Sequence, residues 1–285
     1  MEAQQAAAPT VVVTGASKGI GAAVVRRLAG DGYRVVAGVR RTGDAEALRA
    51  ELGDRVVPAL LDVTDPEAVA TTAELVGREV GDRGLAALVN NAGIAVAGPL
   101  EFLPPEDLRR QLEVNVVGQH AVTKALLPML RRGRGRIVNV GSVGDRIASP
   151  LTGAYAASKF ALRGLTDALR LELSRWGIAV VLVEPGSTAT PIWETSLAAA
   201  ERLRRTLPPE AEELYGRGAA RASAGARHNA VHGMPAAKVA AVVARALAAR
   251  RPRARYLVGR DAHVAAVVAR LPDRLRDRLV LGCLG

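Results

Sequence analysis

Tyr155 and Lys159 are the two side chains whose types and spacing most clearly suit proton transfer. They lie four residues apart, in Tyr-Ala-Ala-Ser-Lys, which places both on one face of a helix. A phenol with a pKa of about 10 is a poor base at neutral pH, but an ammonium group beside it, and an oxidised nicotinamide ring when one is present, favour the phenolate and lower that pKa. We predict that Tyr155 exchanges a proton with a substrate oxygen and that Lys159 assists it. The alternative for such a pair taken alone is an exposed helix face without chemistry.

A serine precedes this pair at the end of a predicted strand. Ser142 lies thirteen residues before Tyr155 and follows the strand expected at residues 136–140. A hydroxyl in this place can hydrogen-bond to the substrate oxygen and orient it for proton transfer. The serine therefore favours a catalytic interpretation of Tyr155 and Lys159 over an exposed helix face.

A glycine-rich segment near the N-terminus is suited to hold a phosphate. Residues 14–21 read Thr-Gly-Ala-Ser-Lys-Gly-Ile-Gly, and they lie between a predicted strand and a helical pattern that begins at Ile20. Without a Cβ atom, Gly15, Gly19 and Gly21 let backbone N–H groups approach a pyrophosphate at the positive end of the helix. In this strand–turn–helix context the segment predicts a dinucleotide site. The alternative is a tight turn that binds no ligand.

The end of the second predicted strand indicates which dinucleotide binds. An acidic residue there would accept hydrogen bonds from the adenosine ribose, but residues 34–39 are followed by Arg40 and Arg41. Guanidinium groups bind a 2′-phosphate through charge-assisted hydrogen bonds. Lys18, one of four lysines beside 35 arginines, lies in the glycine loop and could face the same phosphate. We therefore predict NADP(H) rather than NAD(H), unless these arginines, Arg41 above all, are ordinary solvated side chains.

Strand and helix patterns alternate along the first 190 residues, which is typical of a parallel sheet covered by helices on both faces. Strands are predicted at residues 10–14, 34–39, 56–61, 85–89, 136–140, 178–183 and 255–258. Helices are predicted at residues 20–28, 44–52, 66–80 with Asp65 as N-cap, 108–131, 154–176 and 236–249. The fold class is therefore α/β: residues 1–285 form one Rossmann-like domain with a doubly wound parallel sheet, and residues 10–190 form its cofactor and catalytic core.

Two parts of the chain depart from this rhythm. Residues 187–234 contain several prolines and glycines, with short helical patches at 195–207 and 210–215. We predict that this insertion, which precedes the last helix and strand, forms a lid over the substrate. Residues 260–285 form a basic C-terminal tail. In that tail the apolar residues at helical spacing favour packing against the domain; they are Val264, Val267, Val268 and Leu271.

The net charge of +11 comes entirely from the part of the chain after Gly216. Residues 1–216 carry 25 basic and 25 acidic side chains, whereas residues 217–285 carry 14 and 3. No aromatic residues alternate with these arginines, so we expect no nucleic-acid binding. A solvated basic surface is the simplest interpretation, and docking of the tail on a membrane surface or an acidic carrier is the alternative.

The sequence shows no sign of export, disulfide bonding or metal binding. Cys283 is the single cysteine, so no internal disulfide can form, which suits a reducing compartment. We find neither a secretory signal nor an apolar run of about 20 residues, and we predict a cytoplasmic location. His228 and His232 lie four residues apart without a third ligand, so we interpret them as surface-loop residues and predict no metal site.

Seven short motifs follow one another along the chain. They are residues 14–21, Asp62-Val63, Asn90-Asn91-Ala92-Gly93, Asn115, Ser142, residues 155–159 and Pro185-Gly186. In order and spacing they resemble the short-chain dehydrogenase/reductase family over about residues 10–190. Gly38-Val39-Arg40 and residues 184–193 are most similar to the branch that includes retinol and hydroxysteroid dehydrogenases.

The resemblance implies roles for individual residues. Asn115 would hold a water that links Lys159 to solvent, which completes a catalytic set of Asn115, Ser142, Tyr155 and Lys159. The cofactor-binding residues would be Gly15, Ser17, Lys18, Gly19, Ile20, Gly21, Arg40, Arg41, Asp62, Val63, Asn90, Ala92, Gly93, Tyr155, Lys159, Pro185, Gly186, Thr188 and Thr190. Asn90 and Asn91 could instead satisfy backbone groups, and Thr190 could cap a helix that begins at Pro191. The family also implies a homodimer or homotetramer built on helices 108–131 and 154–176.

These residues predict an oxidoreductase that moves a hydride between NADP(H) and a carbonyl or alcohol, with Tyr155 as general acid/base. The substrate would contact Ser142, Val143, Tyr155 and Trp193, and the small, apolar surroundings favour a lipophilic ketone, aldehyde or secondary alcohol. Trp193 could equally anchor the lid as a core residue. The alternative function is a cofactor-binding regulator without chemistry, but the chain keeps the whole catalytic set. Use of NADP(H) favours reduction, as in a carbonyl reductase.

Overall fold

Short runs rich in valine form the central sheet, because β-branched side chains suit strands that are buried on both faces. The computed structural model describes residues 8–282. Its strands are β1 (Thr10–Val13), β2 (Arg34–Val39), β3 (Val56–Leu60), β4 (Ala87–Asn90), β5 (Arg136–Val140), β6 (Ala179–Pro185), β7 (Thr188–Ala189), β8 (Met234–Pro235) and β9 (Arg255–Val258). Seven of these strands pair in parallel in the order β3-β2-β1-β4-β5-β6-β9, and β7 pairs with β8.

Helices cover both faces of the sheet, which buries its apolar side chains. They are α1 (Gly19–Gly30), α2 (Thr42–Leu52), α3 (Pro66–Val80), α4 (Pro105–Leu112), α5 (Gln119–Arg132), α6 (Gly153–Leu173), α7 (Ile192–Arg204), α8 (Pro209–His232), α9 (Ala236–Ala248), α10 (Arg260–Val268) and α11 (Asp273–Gly282). On one face α1 packs against α9, with Leu28 and Val243 buried. On the other, α3 packs against α5 around Val76 and Leu126. The predicted single α/β domain with a doubly wound parallel sheet is confirmed.

The order in which the chain adds strands to the sheet reverses at β1: strands β2 and β3 lie on one side of it and strands β4 to β6 on the other. This strand pairs with β2 on one side and with β4 on the other. In open α/β sheets a crevice forms at such a point beyond the carboxyl ends of the strands, and ligands bind there. Gly15, Asn91 and Ser142 follow β1, β4 and β5 at this edge.

Most observed boundaries lie within two residues of the predicted ones. Asp65 caps α3 as predicted, since its carboxylate accepts a hydrogen bond from Glu67 N at 2.9 Å. The helix predicted at residues 108–131 is interrupted, because the π-helical segment Glu113–Gly118 joins α4 to α5. A π-helical turn within a helix often marks a functional site, and this one contains Asn115.

The segment after β6 differs most from its prediction. Residues 187–234 form two full helices, α7 and α8, that pack against each other, where only short helical patches were expected. Alanine, arginine and glutamate favour the helix strongly enough to continue α8 through three glycines. His228 and His232 therefore lie exposed on the last turns of α8, and the loop predicted for them is wrong. Within residues 8–282 no three His, Cys, Asp or Glu side chains are arranged to hold a metal ion.

The C-terminal tail is helical as far as the structure describes it. Val264 and Val267 on α10 are 62% and 63% exposed, so the expected packing of these two valines against the domain is wrong. Cys283 lies outside the described residues. In residues 8–282 no helix is long and apolar enough to cross a membrane. The cytoplasmic location, the homo-oligomer and the docking of the tail stay predictions.

Candidate active site

A cavity of about 980 Å³ opens at the carboxyl ends of the central strands. It is lined by most of the predicted site residues, namely Gly15, Ser17, Lys18, Gly19, Ile20, Arg40, Asp62, Val63, Ala92, Gly93, Ser142, Val143, Tyr155, Lys159, Pro185, Gly186, Thr188, Thr190 and Trp193. Gly21, Arg41, Asn90 and Asn115 lie outside this lining. The glycine loop, Arg40 at the end of β2, and the Ser–Tyr–Lys set thus line one cavity.

The glycine loop, residues 14–21, joins β1 to α1 and has no room for a side chain at its glycine positions. Gly15 and Gly19 have φ angles of 63° and 55°, which glycine adopts without strain. A Cβ atom on Gly21 would lie 2.1 Å from the Gly15 carbonyl oxygen, so the loop closes tightly on the first turn of α1. Ser17, Gly19 and Ile20 line the cavity where the first N–H groups of α1 have no partner within the helix. This end of the cavity suits an anionic group such as a pyrophosphate.

Thr14 and Asn91 hold the glycine loop to the segment after β4. The Thr14 hydroxyl accepts hydrogen bonds from Asn91 N at 2.9 Å and Ala92 N at 3.0 Å. Asn91 Nδ2 donates to the carbonyls of Thr14 and Gly15, both at 3.1 Å. Asn91 therefore satisfies backbone groups, which is the alternative considered for it in the sequence.

Asn90 is buried and faces the sheet rather than the cavity. Its Nδ2 donates to Thr123 Oγ1 and to Asn139 Oδ1, each at 2.9 Å. These bonds join β4 to α5 and β5, so the structure places Asn90 in a bracing role and brings it to no ligand surface.

The structure separates the two arginines that follow β2. Arg40 lines the cavity, as does Lys18, and both are exposed. Arg41 is exposed and lies outside the lining. Burial alone would raise the pKa of Asp62, but the hydrogen bonds from Thr64 and the charge of Arg40 lower it below its ordinary value. Arg40 thus places a positive charge at the end of the cavity near Asp62, where a guanidinium group can bind an anion.

Three buried amide side chains support residues 92–96, which border the cavity after β4. They are Gln111, Asn115 and Gln119, spaced four residues apart across the π-helical segment. Their amide N–H groups donate to backbone carbonyls: Gln119 Nε2 to Ala92 O at 2.7 Å, and Asn115 Nδ2 and Gln111 Nε2 to Ile94 O, each at 3.0 Å. Their amide oxygens accept from backbone N–H groups: Asn115 Oδ1 from Ile94 N at 2.9 Å and Gln111 Oε1 from Val96 N at 2.7 Å. The sequence analysis missed Gln111 and Gln119, although their spacing from Asn115 is visible in the sequence.

Asn115 also connects this loop to the helix that carries the tyrosine. Its Nδ2 donates to Ser158 Oγ at 3.0 Å, and that hydroxyl donates to the Tyr155 carbonyl at 2.7 Å. Both N–H donors of the Asn115 side chain are thus engaged. A water that links Asn115 to Lys159, as the resemblance implies, would bind an oxygen of Asn115.

Tyr155 and Lys159 lie one turn apart on α6. Lys159 Nζ donates to the Val140 carbonyl at 3.0 Å and lies 5.7 Å from the centre of the Tyr155 ring. Burial lowers the pKa of Lys159 to about 8. Lys159 can therefore give up and regain a proton close to neutral pH.

The pKa of Tyr155 is raised above its ordinary value, because burial disfavours the phenolate more than the hydrogen bond from Ser142 favours it. This direction is opposite to the lowering expected from Lys159 and an oxidised nicotinamide ring, and that expectation stays a prediction for the site with the cofactor bound. Burial also makes the Lys159 ammonium easier to deprotonate. At neutral pH the tyrosine is held as the phenol, the form that can donate a proton.

Ser142 follows β5 and begins the short 3₁₀ turn Val143–Asp145. Its Oγ accepts a hydrogen bond from Gly144 N at 3.1 Å, and its hydroxyl donates to the Tyr155 oxygen. A Cβ atom on Gly144 would lie 3.2 Å from the Tyr155 ring, so this turn packs closely on the tyrosine. Ser142 and Tyr155 therefore address the same part of the cavity.

Trp193 combines the two roles considered for it. Its Nε1 donates to the Thr188 carbonyl at 2.8 Å, which anchors α7, and its side chain also lines the cavity.

Thr190 does not cap a helix. Helix α7 begins at Ile192 without a side-chain cap, and the Thr190 side chain lies against Gly19.

Asp261, at the start of α10, fixes the wall of the cavity beyond β6. Its Oδ2 accepts a hydrogen bond from Ser187 N at 2.5 Å, and its Oδ1 accepts one from Ala262 N at 3.0 Å. A Cβ atom on Gly186 would lie 2.0 Å from Asp261 Oδ1, so the carboxylate needs glycine there. The sequence analysis missed this contact because the bond to Ser187 spans 74 residues.

Residues 9–201 match the family described as short chain dehydrogenase. The chain belongs to this family. It is 37% identical over 279 residues to retinol dehydrogenase 5 of Mus musculus, covering 95% of this chain and 87% of that protein. It is 33% identical over 274 residues to the NADPH-dependent 3-dehydrocapnine reductase of Ornithobacterium rhinotracheale, covering 94% of each chain.

Solved structures of other short-chain dehydrogenases share the fold. One from Streptomyces avermitilis has a TM-score of 0.76 and 30% identity, and 92% of each chain is covered. Another, from Burkholderia cenocepacia J2315 in complex with NADP, has a TM-score of 0.73 and 28% identity, covering 95% of this chain and 97% of that one. This short-chain dehydrogenase is an oxidoreductase of the retinol dehydrogenase-like branch. The family match ends within α7, so the rest of residues 187–234 lies outside it.

Proposed function

We propose that this short-chain dehydrogenase uses NADP(H) to interconvert a lipophilic ketone or aldehyde and the corresponding alcohol. The observation that carries the proposal is the convergence of three groups of residues on one cavity. They are the glycine loop, the cations Lys18 and Arg40, and the set Ser142, Tyr155 and Lys159. The first two suit a phosphorylated dinucleotide, and the third suits proton transfer to an oxygen beside it.

The residues at the dinucleotide end of the cavity fit NADP(H). The loop that excludes a Cβ atom at Gly21, with the first turn of α1, would hold the pyrophosphate. Arg40 and Lys18 would bind the 2′-phosphate, and no acidic residue follows β2 to repel it. Two similar proteins support this choice, since the Burkholderia cenocepacia structure is in complex with NADP and the Ornithobacterium rhinotracheale relative is described as NADPH-dependent.

The mechanism follows from the protonation states of the site. The bound cofactor would supply a hydride to the substrate carbon in reduction and accept one in oxidation. Ser142 donates a hydrogen bond to the substrate oxygen and orients it towards Tyr155. In reduction the Tyr155 hydroxyl gives its proton to that oxygen, and in oxidation the Tyr155 oxygen takes it. The raised pKa of Tyr155 favours the reductive direction, and Lys159, with a pKa of about 8, can replace the proton that Tyr155 gives.

The substrate end of the cavity is mostly apolar. The residues that line it are Ala95, Val96, Ile147, Leu151, Ile192, Trp193, Leu197 and Ala200. From the inner face of α8, Ala222, Ser223 and Ala226 add small side chains at helical spacing. Because small side chains leave space beside the tyrosine, the cavity suits a long or bulky lipophilic substrate.

We expect Ala226→Phe to lower kcat/KM for bulky lipophilic ketones by about tenfold or more, since overfilling a packed space costs roughly 1–3 kcal/mol. A small ketone that does not reach α8 should be much less affected. The matched control is Ala224→Phe, because Ala224 is exposed on α8 and does not line the cavity. Steady-state kinetics with one bulky and one small ketone measure the difference. Equal losses for both substrates, or for both variants, would contradict the placement of α8 over the substrate.

The direct assay uses the purified protein with a panel of lipophilic ketones, aldehydes and secondary alcohols, each with NADPH or NADH and their oxidised forms. We expect turnover with at least one substrate class, faster with the phosphorylated cofactor. Tight NADPH binding without turnover of any carbonyl or alcohol would favour the non-catalytic regulator. Faster turnover with NADH would overturn the cofactor assignment.

A further inference from the structure

A carboxyl group is sealed inside the protein three residues after Ser142. Asp145 is 0% exposed and ends the 3₁₀ turn that Ser142 begins, with its backbone N–H donating to the Ser142 carbonyl at 3.0 Å. Neither oxygen of its side chain has a hydrogen-bond partner in the described part of the chain. An ionised carboxylate in such surroundings is costly, because no donor replaces the water that it loses.

A second buried carboxyl group lies beside it and takes the nearest positive charge. Glu184, at the end of β6, is also 0% exposed and forms a two-pronged pair with Arg146, at 2.7 and 2.9 Å. Arg146 Nε lies 3.8 Å from Asp145 Oδ1, which is too far for a hydrogen bond. A single guanidinium group thus lies beside two carboxyl groups. With a proton on Asp145, the net charge of Arg146, Glu184 and Asp145 is zero.

The other charged groups around Asp145 leave its carboxyl group unpaired. Arg163 on α6 donates to the backbone carbonyl of Asp145 at 3.1 Å rather than to the side chain. α10 packs against the same turn, and its titratable residues Arg260, Asp261 and His263 are exposed. Tyr155 and Lys159, also on α6, are the remaining titratable groups that Asp145 influences.

The charge states of these groups are linked. Burial and then repulsion from Glu184 raise the pKa of Asp145 to about 8, against a smaller opposing effect of Arg146. A negative charge on Asp145 in turn raises the pKa of both Tyr155 and Lys159. Around neutral pH Asp145 is therefore a neutral acid, and it ionises as the solution becomes alkaline.

We propose that Asp145, beside the Glu184–Arg146 pair, carries a buried proton behind the catalytic pair, and that losing it in alkaline solution keeps Tyr155 protonated and able to reduce carbonyls. Asp145 does not line the cavity, so it is a positioning residue that acts through Tyr155. The effect on turnover rests on the function proposed above for Tyr155. The buried proton itself does not, since it follows from the burial of Asp145 and from the pairing of Glu184 with Arg146.

The proton on Asp145 can be observed without turnover. Infrared spectroscopy of the wild-type protein should show the carbonyl band of a protonated carboxylic acid at pH 7, and the band should disappear over a titration centred near pH 8. Asp145→Asn should remove it, and Glu184→Gln should remove it at pH 7 because Arg146 becomes available to Asp145. Glu46→Gln, which changes an exposed acid on α2, should leave it unchanged. Absence of this band in the wild type overturns the proposal and leaves the proposed function untouched.

Thermal unfolding gives a second readout of the same proton. The unfolded Asp145 has a pKa of about 3.9, so between roughly pH 4 and 8 the folded protein binds one proton more than the unfolded chain. Stability must then fall as the pH rises through that window. The amide introduced by Asp145→Asn has the shape of the neutral acid and does not ionise. The difference obtained by subtracting the Tm of the wild type from that of this variant should therefore increase from pH 5 to pH 8. Parallel Tm curves would contradict a buried proton.

The link to catalysis appears in the pH profile. We expect the alkaline limb of kcat/KM for ketone reduction to move to lower pH in Asp145→Asn, by up to about one pH unit, because no charge then forms to hold the Tyr155 proton. A merely structural role would lower activity at every pH without moving the limb. An infrared band with an unmoved limb would show that the proton exists but does not act through Tyr155, which overturns this part of the proposal.

Discussion

Tyr155→Phe should lower kcat by about 10²–10⁴-fold in both directions and leave NADPH binding largely intact. The variant keeps the ring that packs on the turn at Gly144 and loses only the hydroxyl that exchanges the proton. The hydroxyl of Ser142 can still orient the substrate, but the group that exchanges the proton with the substrate oxygen is gone. Steady-state kinetics and a fluorescence titration with NADPH give the two quantities.

The control for this variant is Tyr33→Phe, since Tyr33 is a tyrosine that does not line the cavity. It should keep both kcat and NADPH affinity. Near-normal turnover by Tyr155→Phe would refute the mechanism. A parallel loss of NADPH binding would show instead that the hydroxyl serves the cofactor site.

Arg40→Ala is expected to weaken NADPH binding by about 10–100-fold while changing NADH binding little, since a charge-assisted hydrogen bond contributes about 1.5–3 kcal/mol. Arg40→Asp should go further and make NADH the better cofactor, because a carboxylate at the end of β2 repels a 2′-phosphate and accepts bonds from a ribose hydroxyl.

Arg41→Ala is the matched control, because Arg41 is the adjacent exposed arginine and lies outside the cavity lining. It should leave the ratio of NADPH to NADH affinity unchanged. Dissociation constants of both cofactors for the wild type and the three variants test this. An unchanged ratio in Arg40→Ala, or a loss in Arg41→Ala as large as in Arg40→Ala, would contradict the assignment of the 2′-phosphate to Arg40.

The sheet and the centre of the site could be predicted because their signals are local. A run such as Thr10–Val13 is typical of a strand buried on both faces, as in a parallel sheet, and the glycines after it mark the turn into a helix. Tyr155 and Lys159 are one turn apart in any helix, whatever the rest of the fold does. These patterns depend on a few adjacent residues, so the sequence alone reveals them.

The two helices of residues 187–234 escaped prediction because their amphipathic patterns are weak. α8 buries only Ala211 completely, and its inner face consists of small residues next to the cavity rather than of large apolar ones. The glycines in it favoured a loop, yet each costs a helix only about 1 kcal/mol. Periodicity therefore gave no sign that residues 209–232 form one helix.

The electrostatics of the site depend on contacts between distant parts of the chain. Asp145 and Glu184 are ordinary acids in the sequence, and only the neighbouring positions of β5 and β6 bring them together out of water. In the same way, the raised pKa of Tyr155 results from burial that the Tyr-x-x-x-Lys spacing does not show. Spacing identified the residues, and packing decides their protonation.

The central claim is that the cavity holds NADPH and a carbonyl together while Tyr155 supplies the proton. The most direct measurement uses NADPH that carries deuterium in both positions of the reactive nicotinamide carbon, and follows the label into the product of the best ketone of the panel. We predict that the wild type places the label on the carbinol carbon of the product, and that Tyr155→Phe, with NADPH bound, does so at least about 100-fold more slowly. An unlabelled alcohol from the wild type, or label transfer at an equal rate by Tyr155→Phe, would contradict this account.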